Sequence, residues 1–182
     1  MAGALTVPEL EADGCRLRGW RAADAEALEP ACGDPDIARF TTVPRRFAME
    51  DARAWVIRQR AHARNRTAIV LAIVPPPGDT PVGMVGLFGL DQSAVSGRLG
   101  YWVVADHRGR GLATAAARRL AAWGFAELEL TAIHIDREVG NRASARLAEK
   151  LGAVRRSSRW VQYEGASIEL VRHTLAAPTP GT

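Results

Sequence analysis

The 182 residues predict one mixed α/β domain, a twisted sheet with helices on both faces, and three observations carry that expectation. An aromatic and β-branched run, Tyr101-Trp102-Val103-Val104, is followed by a glycine-containing loop and then an alanine-rich stretch with helical spacing. An almost unbroken β-branched run over 67–74 is followed by a second apolar run over 82–90, which reads as a hairpin. The whole chain parses as β-α-α-β-β-β-α-β-α-β-β without an internal repeat, and a 47% hydrophobic content supplies one core.

The elements follow in order. Residues 1–12 have no clear periodicity and form a loose start to a single domain over 13–175. Arg16-Leu17-Arg18-Gly19-Trp20 alternates polar and apolar, as a first strand does. The segment Arg21 to Asp24 offers an N-cap region for a helix reaching about Ala31, closed by Gly33-Asp34-Pro35. Residues 37–46 read as loop or a short helical turn, and 49–64 as the second helix, mixing apolar and basic faces. Pro75-Pro76-Pro77-Gly78-Asp79 stops the strand over 67–74, and the run over 82–90 returns beside it. A strand over 99–104 precedes the central helix over 113–126, with Ala116, Ala117, Leu120 and Gly124 at helical spacing. A strand over 131–135 then turns through 137–140 into Asn141, an N-cap for a helix carrying Ser144, Leu147, Ala148 and Leu151, with Gly152 at its C′ position. Strands over 154–163 and 168–175 close the domain, and 176–182 is a disordered tail.

The loop Arg108-Gly109-Arg110-Gly111-Leu112-Ala113 carries the strongest chemistry. The first backbone N–H groups of a helix have no internal partners and lie at the positive end of its dipole, so they attract an anion. Gly109 and Gly111 let a diphosphate approach the backbone, Ala113 keeps the first turn uncrowded, and Arg108 and Arg110 add positive charge. A pyrophosphate fits such a loop.

Taken with the preceding Gly100-Tyr101-Trp102, the loop resembles the acetyl-CoA-binding motif of the GNAT superfamily of N-acetyltransferases, and the chain most resembles the RimJ/RimL branch that acetylates ribosomal-protein N-termini. The resemblance covers about 17–175 and implies a GNAT-like fold with splayed central strands, acetyl-CoA as donor and coenzyme A as product. It also implies that the backbone of Val103, Val104 and Ala105 holds the acetyl carbonyl and pantetheine, that residues 108–113 bind pyrophosphate, and that 49–64 walls the acceptor pocket. Asn141 and Ser144 match the family's Asn-x-x-Ser, beside the pantetheine and facing the thioester. On the residues alone, Asn141 is equally a plain N-cap, and for Ser144 the lesser alternative is a buried serine bonding back to a carbonyl.

Acetyl transfer from a thioester to an amine needs a neutral nucleophile, a stabilised oxyanion and a thiolate that leaves. Backbone N–H groups around Val103 to Ala105 suit the oxyanion, and Ser144 suits hydrogen-bond donation to the thiolate. Many relatives carry a tyrosine four residues after this serine, where this chain has Ala148. RimJ/RimL relatives often carry an acid two residues before Gly-Tyr, where it has Arg98. The base is unassigned, and this favours an acceptor α-amine, which titrates near 8, over a lysine near 10.4. The expected acceptor is therefore a protein or peptide N-terminus. A small-molecule amine such as an antibiotic or polyamine is the nearest alternative, and a non-catalytic acyl-CoA-binding regulator is the second.

The rest of the composition excludes more than it adds. No apolar run is long enough to span a bilayer and 1–14 lacks an export signal, so a soluble cytoplasmic protein is expected. Cys15, Cys32 and four scattered histidines show no metal spacing and no disulfide framework. The net charge of +4 comes from 24 basic residues with Lys150 the only lysine, which suits a polyphosphate cofactor. Arg155, Arg156, Arg159 and Trp160 do not make the dense basic and aromatic stripe of a nucleic-acid binder. The sequence is compatible with a homodimer.

Overall fold

The structure, a computed structural model, describes residues 4–41, 43, 45–90, 95–163 and 165–178. Its strands are β1 (Leu10–Ala12), β2 (Cys15–Gly19), β3 (Ala68–Val74), β4 (Gly83–Phe88), β5 (Ser96–Val103), β6 (Ala132–Glu138), β7 (Val154–Tyr163) and β8 (Ala166–Ala176). They form one sheet in the order β1-β2-β3-β4-β5-β6-β8-β7. The helices are α1 (Glu29–Cys32), α2 (Pro35–Phe40), α3 (Met49–Arg64), α4 (Leu112–Glu127) and α5 (Arg142–Lys150), with short 3₁₀ turns at Ala22–Leu28 and Ala105–His107. β1 pairs with β2 from Leu10 onward, inside the stretch whose sequence has no periodicity. Ala176, expected in the disordered tail, instead ends β8, and Ala177 donates its N–H to the Thr131 carbonyl at 2.9 Å; 179–182 lie outside the described residues.

All seven residues of β3 are buried, as an unbroken apolar run demands of a central strand. α3 covers one face, where Trp55 meets Trp20 edge-on at 4.8 Å between ring centroids and both lie 6.3 Å from Trp102 of β5. α4 covers the other: a Cβ placed on Gly124 would stand 2.7 Å from Leu87 and 3.7 Å from Ile133, so glycine there lets helix and sheet approach.

Local hydrogen bonding decides one open expectation and corrects another. Asp34 closes one helix and opens the next: its Oδ1 accepts from the N–H groups of Asp36 and Ile37, so the short helical turn expected as one of two readings of 37–46 is present, beginning earlier, as α2 at Pro35–Phe40. β6 runs to Glu138, past the turn expected at 137–140, because β8 pairs with it as far as Leu170. Arg18, in a strand that alternates polar and apolar, does not face solvent. It is 1% exposed, and its guanidinium donates to both carboxylate oxygens of Asp24 at 2.8 and 2.9 Å. Asp24 is the N3 residue of its turn, accepting from the Arg21 N–H at 2.7 Å.

The fold's functional irregularity lies between β5 and β6. They pair in parallel at three positions only, ending at Arg98–His134. Beyond these, β5 stays with β4 while β6 follows β8 to Glu138, and the two strands part.

Candidate active site

Along β5 alternate residues turn their backbone groups to opposite edges. Val104 donates its N–H to Val82 at 2.9 Å, on the β4 side, so the Tyr101 and Val103 backbone groups turn to the edge that β6 has left. This corrects the expectation of unpaired groups across 103–105: Val104 is paired, Ala105 begins a 3₁₀ turn, and Val103 is the member of the set that faces the opening.

A cleft of about 790 Å³ occupies this opening and runs between α4 and α5. Of the residues predicted from sequence, Val103, Arg108, Gly109, Gly111, Leu112, Ala113, Asn141 and Ser144 line it, while Val104, Ala105 and Arg110 do not. Arg110 donates to the Asp106 carbonyl instead. Arg108 reaches the wall but is already engaged: its Nε donates to the Val103 carbonyl at 2.9 Å and a terminal nitrogen to Asp34 at 2.5 Å. These bonds make it a strut between the loop and α2, while its side chain keeps 40% exposure on the cleft wall.

The helix start itself fits an anion. Gly111 is the N-cap of α4 with φ +82°, no side chain caps the helix, and its first turn holds no acidic residue. Thr114 and Ala115 donate to the Gly111 carbonyl, which leaves the earlier N–H groups facing outward. A Cβ built on Gly109 or Gly111 meets nothing within 4 Å, yet both have positive φ, which a larger residue adopts only with strain. Across the cleft, Arg142, Arg146 and Lys150 recur every fourth residue on α5 and line the opposite wall. That spacing is visible in the sequence and puts three cations on one helix face.

Two hydroxyls meet deeper in the cleft. Tyr101 Oη lies 2.6 Å from Ser144 Oγ, and Ser144 is 8% exposed. Asn141 caps α5 by accepting the Ser144 N–H at 2.9 Å, so the cap also sets the position of the hydroxyl. The serine therefore bonds the tyrosine across the cleft. Burial raises the Tyr101 hydroxyl above its usual 10, outweighing Ser144 and Arg137, so it stays protonated at neutral pH. One mutual hydrogen bond uses one of the two protons, and the other O–H is left to donate into the cleft. Tyr101 was hidden in the sequence because its distance from Ser144, 43 positions, depends on how α5 crosses β5.

Carboxylates stand on the far side of the opening. Glu138 lines the cleft and accepts from Arg39 of α2 at 2.7 Å. Asp136, two residues earlier on the same face, accepts both Arg172 nitrogens at 2.7 Å, and that pairing holds its carboxyl below the usual range.

The family model described as an acetyltransferase (GNAT) domain matches residues 15–154. The chain belongs to the GNAT acetyltransferase family. YdaF of Bacillus subtilis, described as a ribosomal N-acetyltransferase, is 40% identical over 70 residues, a match spanning 38% of either chain. YoaA of the same organism, an N-acetyltransferase, is 26% identical over 145 residues, covering 80% of this chain and 82% of that one. Among solved structures, a Vibrio cholerae protein described as a ribosomal-protein-serine acetyltransferase superposes with a TM-score of 0.81 at 22% identity, covering 94% of this chain and 99% of that one. Mycobacterium smegmatis RimJ, solved with a CoA disulfide, gives 0.80 at 21%, covering 94% and 87%. The acetyltransferase uses acetyl-CoA, and the α4 start, the glycines and the α5 cations fit its phosphates. Among the described residues no helix is long and apolar enough to cross a membrane.

Proposed function

We propose that the acetyltransferase moves the acetyl group of acetyl-CoA to an α-amino group at a protein or peptide N-terminus. Acetyl-CoA supplies an activated thioester. The chain's part is to hold its phosphates between α4 and α5, to donate the Val103 N–H to the acetyl carbonyl oxygen, and to donate a hydrogen bond from the Tyr101–Ser144 pair to the departing sulfur. The amine enters from the opposite sheet face, beside Glu138.

The observation that carries the acceptor class is the state of the carboxylates there. Asp136 is held by Arg172, which keeps its carboxyl below the usual range, and Glu138 is engaged by Arg39, so neither carboxylate stands as an unpaired base. A site of that kind suits an amine with an appreciable neutral fraction at pH 7, about a tenth for an α-amine and under a thousandth for lysine. The ribosomal-protein acetyltransferases among its relatives and structural neighbours support the same reading. Turnover of a peptide with a free N-terminus and no lysine is expected to rise with pH and flatten near 8, where the substrate amine titrates. A profile already flat from pH 6 with saturating acetyl-CoA and chemistry limiting would mean that an enzyme group of low pKa takes the proton, and would count against the reading.

A further inference from the structure

The sheet face turned away from α4 is open across β6, β8 and β7, and its charge is uneven. Arg98 and His134 are register neighbours, and cross-strand neighbours share a face; so do His134 and Thr174, joined by a hydrogen bond of 3.0 Å. Two residues along β6, Asp136 stands beside Arg172 of β8 and 3.5 Å from Arg159 of β7, and it also feels Arg98. Two further on, Glu138 meets Arg39. The row thus sets Arg39, Arg98, Arg159 and Arg172 against Asp136 and Glu138, a surplus of two positive charges among the described residues. The carboxylates are the less exposed partners, 11% and 17%, while Arg39 and Arg159 are more than half exposed. A second cavity of about 520 Å³ between α2 and the start of β8 continues the surface and includes Arg39 and Arg45 in its wall. Glu138 joins this face to the cleft that holds Tyr101 and Ser144.

We infer that this face is the track for the acceptor chain, and that it selects an N-terminus followed by acidic residues. The inference rests on the α-amine reading above. An amine directed at Glu138 leaves the following residues to run over exposed guanidinium groups, where carboxylates gain attraction and lysines or arginines meet repulsion. Rim contacts of this kind act through encounter and KM, and they weaken with salt.

The test uses the full chain, acetyl-CoA and three lysine-free peptides with identical first two residues and free N-termini, whose positions 3–6 are acidic, uncharged or arginine. At about 50 mM salt, kcat/KM for the acidic peptide should exceed that of the uncharged one by about three- to tenfold, with the arginine peptide lowest. The order should flatten near 500 mM salt, where the screening length falls to a few ångströms. Arg159→Glu, and separately Arg98→Gln, should shrink the acidic advantage while leaving the uncharged peptide and the acetyl-CoA-induced thermal shift unchanged. Equal kcat/KM for all three peptides at low salt, or an order untouched by both variants, would overturn the inference alone. Acetylation of a polyamine or a lysine peptide, with none of the three accepted, would instead remove the α-amine reading and this inference with it.

Discussion

At the scale of single residues, the Tyr101–Ser144 pair makes the most exposed claim. Relatives commonly place a tyrosine four residues after the serine, and Ala148 at that position left Ser144 as the donor read from the sequence, with the base unassigned. The structure brings a tyrosine from β5 to the same hydroxyl, at 2.6 Å. A hydrogen bond to a developing thiolate is worth roughly 1.5 to 3 kcal/mol, or about ten- to a hundred-and-fifty-fold in rate. Tyr101→Phe and Ser144→Ala should each lower kcat by that order while leaving acetyl-CoA affinity within a few-fold, and the double variant should lose little more than the worse single one. Losses that multiply would show two independent roles, and unchanged kcat with chemistry limiting would make the pair structural. Arg18 teaches a related lesson. A polar–apolar alternation reads as one solvated face, but a buried carboxylate six residues away turns the same arginine inward. Without Asp24 the guanidinium keeps Asp79 at 2.9 Å and the Gly19 and Asp79 carbonyls but loses two charge-assisted bonds, so Asp24→Ala should cost about 1.5 to 3 kcal/mol in denaturant unfolding. A cost below about 1 kcal/mol would mean that water reaches the guanidinium.

At the scale of elements, the glycine-containing loop and α4 were readable because their requirements are local. A positive φ needs glycine, an uncapped helix start needs no partner, and both are written in adjacent residues. Helix α3 was legible end to end for the same reason, and so was the close of α5, where Ala153 donates to Ala148 and Gly152 to Glu149 around a left-handed Gly152. What local pattern does not contain is where each arginine's hydrogen bonds go. Arg108 and Arg110 lie in the loop, but one is taken by Asp34 and Val103 and the other turns to Asp106, while α5 presents Arg142, Arg146 and Lys150 across the cleft. Gly111→Val, strained at φ +82° and at the helix start, should abolish most of the acetyl-CoA-induced thermal shift, and Arg142→Glu with Arg146→Glu should reduce it strongly. Arg110→Gln should leave it nearly intact. A full shift in folded Gly111→Val protein, or a loss in Arg110→Gln equal to that of the α5 variant, would contradict this division of labour.

At the scale of the whole molecule, function depends on strands that begin together and then part. Three paired positions hold β5 to β6, after which each strand follows a different partner, and the gap opens to both faces of the sheet. Tyr101 and Ser144 meet on one side of it, and Glu138 and Arg39 on the other. The succession of strands along the chain from Arg16 on was legible from periodicity and turns, but the place of β8 between β6 and β7 in the sheet was not. The Glu138–Arg39 contact was not, because its partners are 99 positions apart and meet only after α2 folds over the end of β6. That arrangement makes the nature of the amine the central claim. Two peptides of one sequence decide it, the first with a free N-terminus and no lysine, the second with its N-terminus blocked and one lysine. With acetyl-CoA at neutral pH, kcat/KM for the first should exceed that for the second by two to three orders of magnitude, the difference in neutral amine alone. An equal or higher value for the blocked peptide would show a strong base at work in the cleft and would contradict the account.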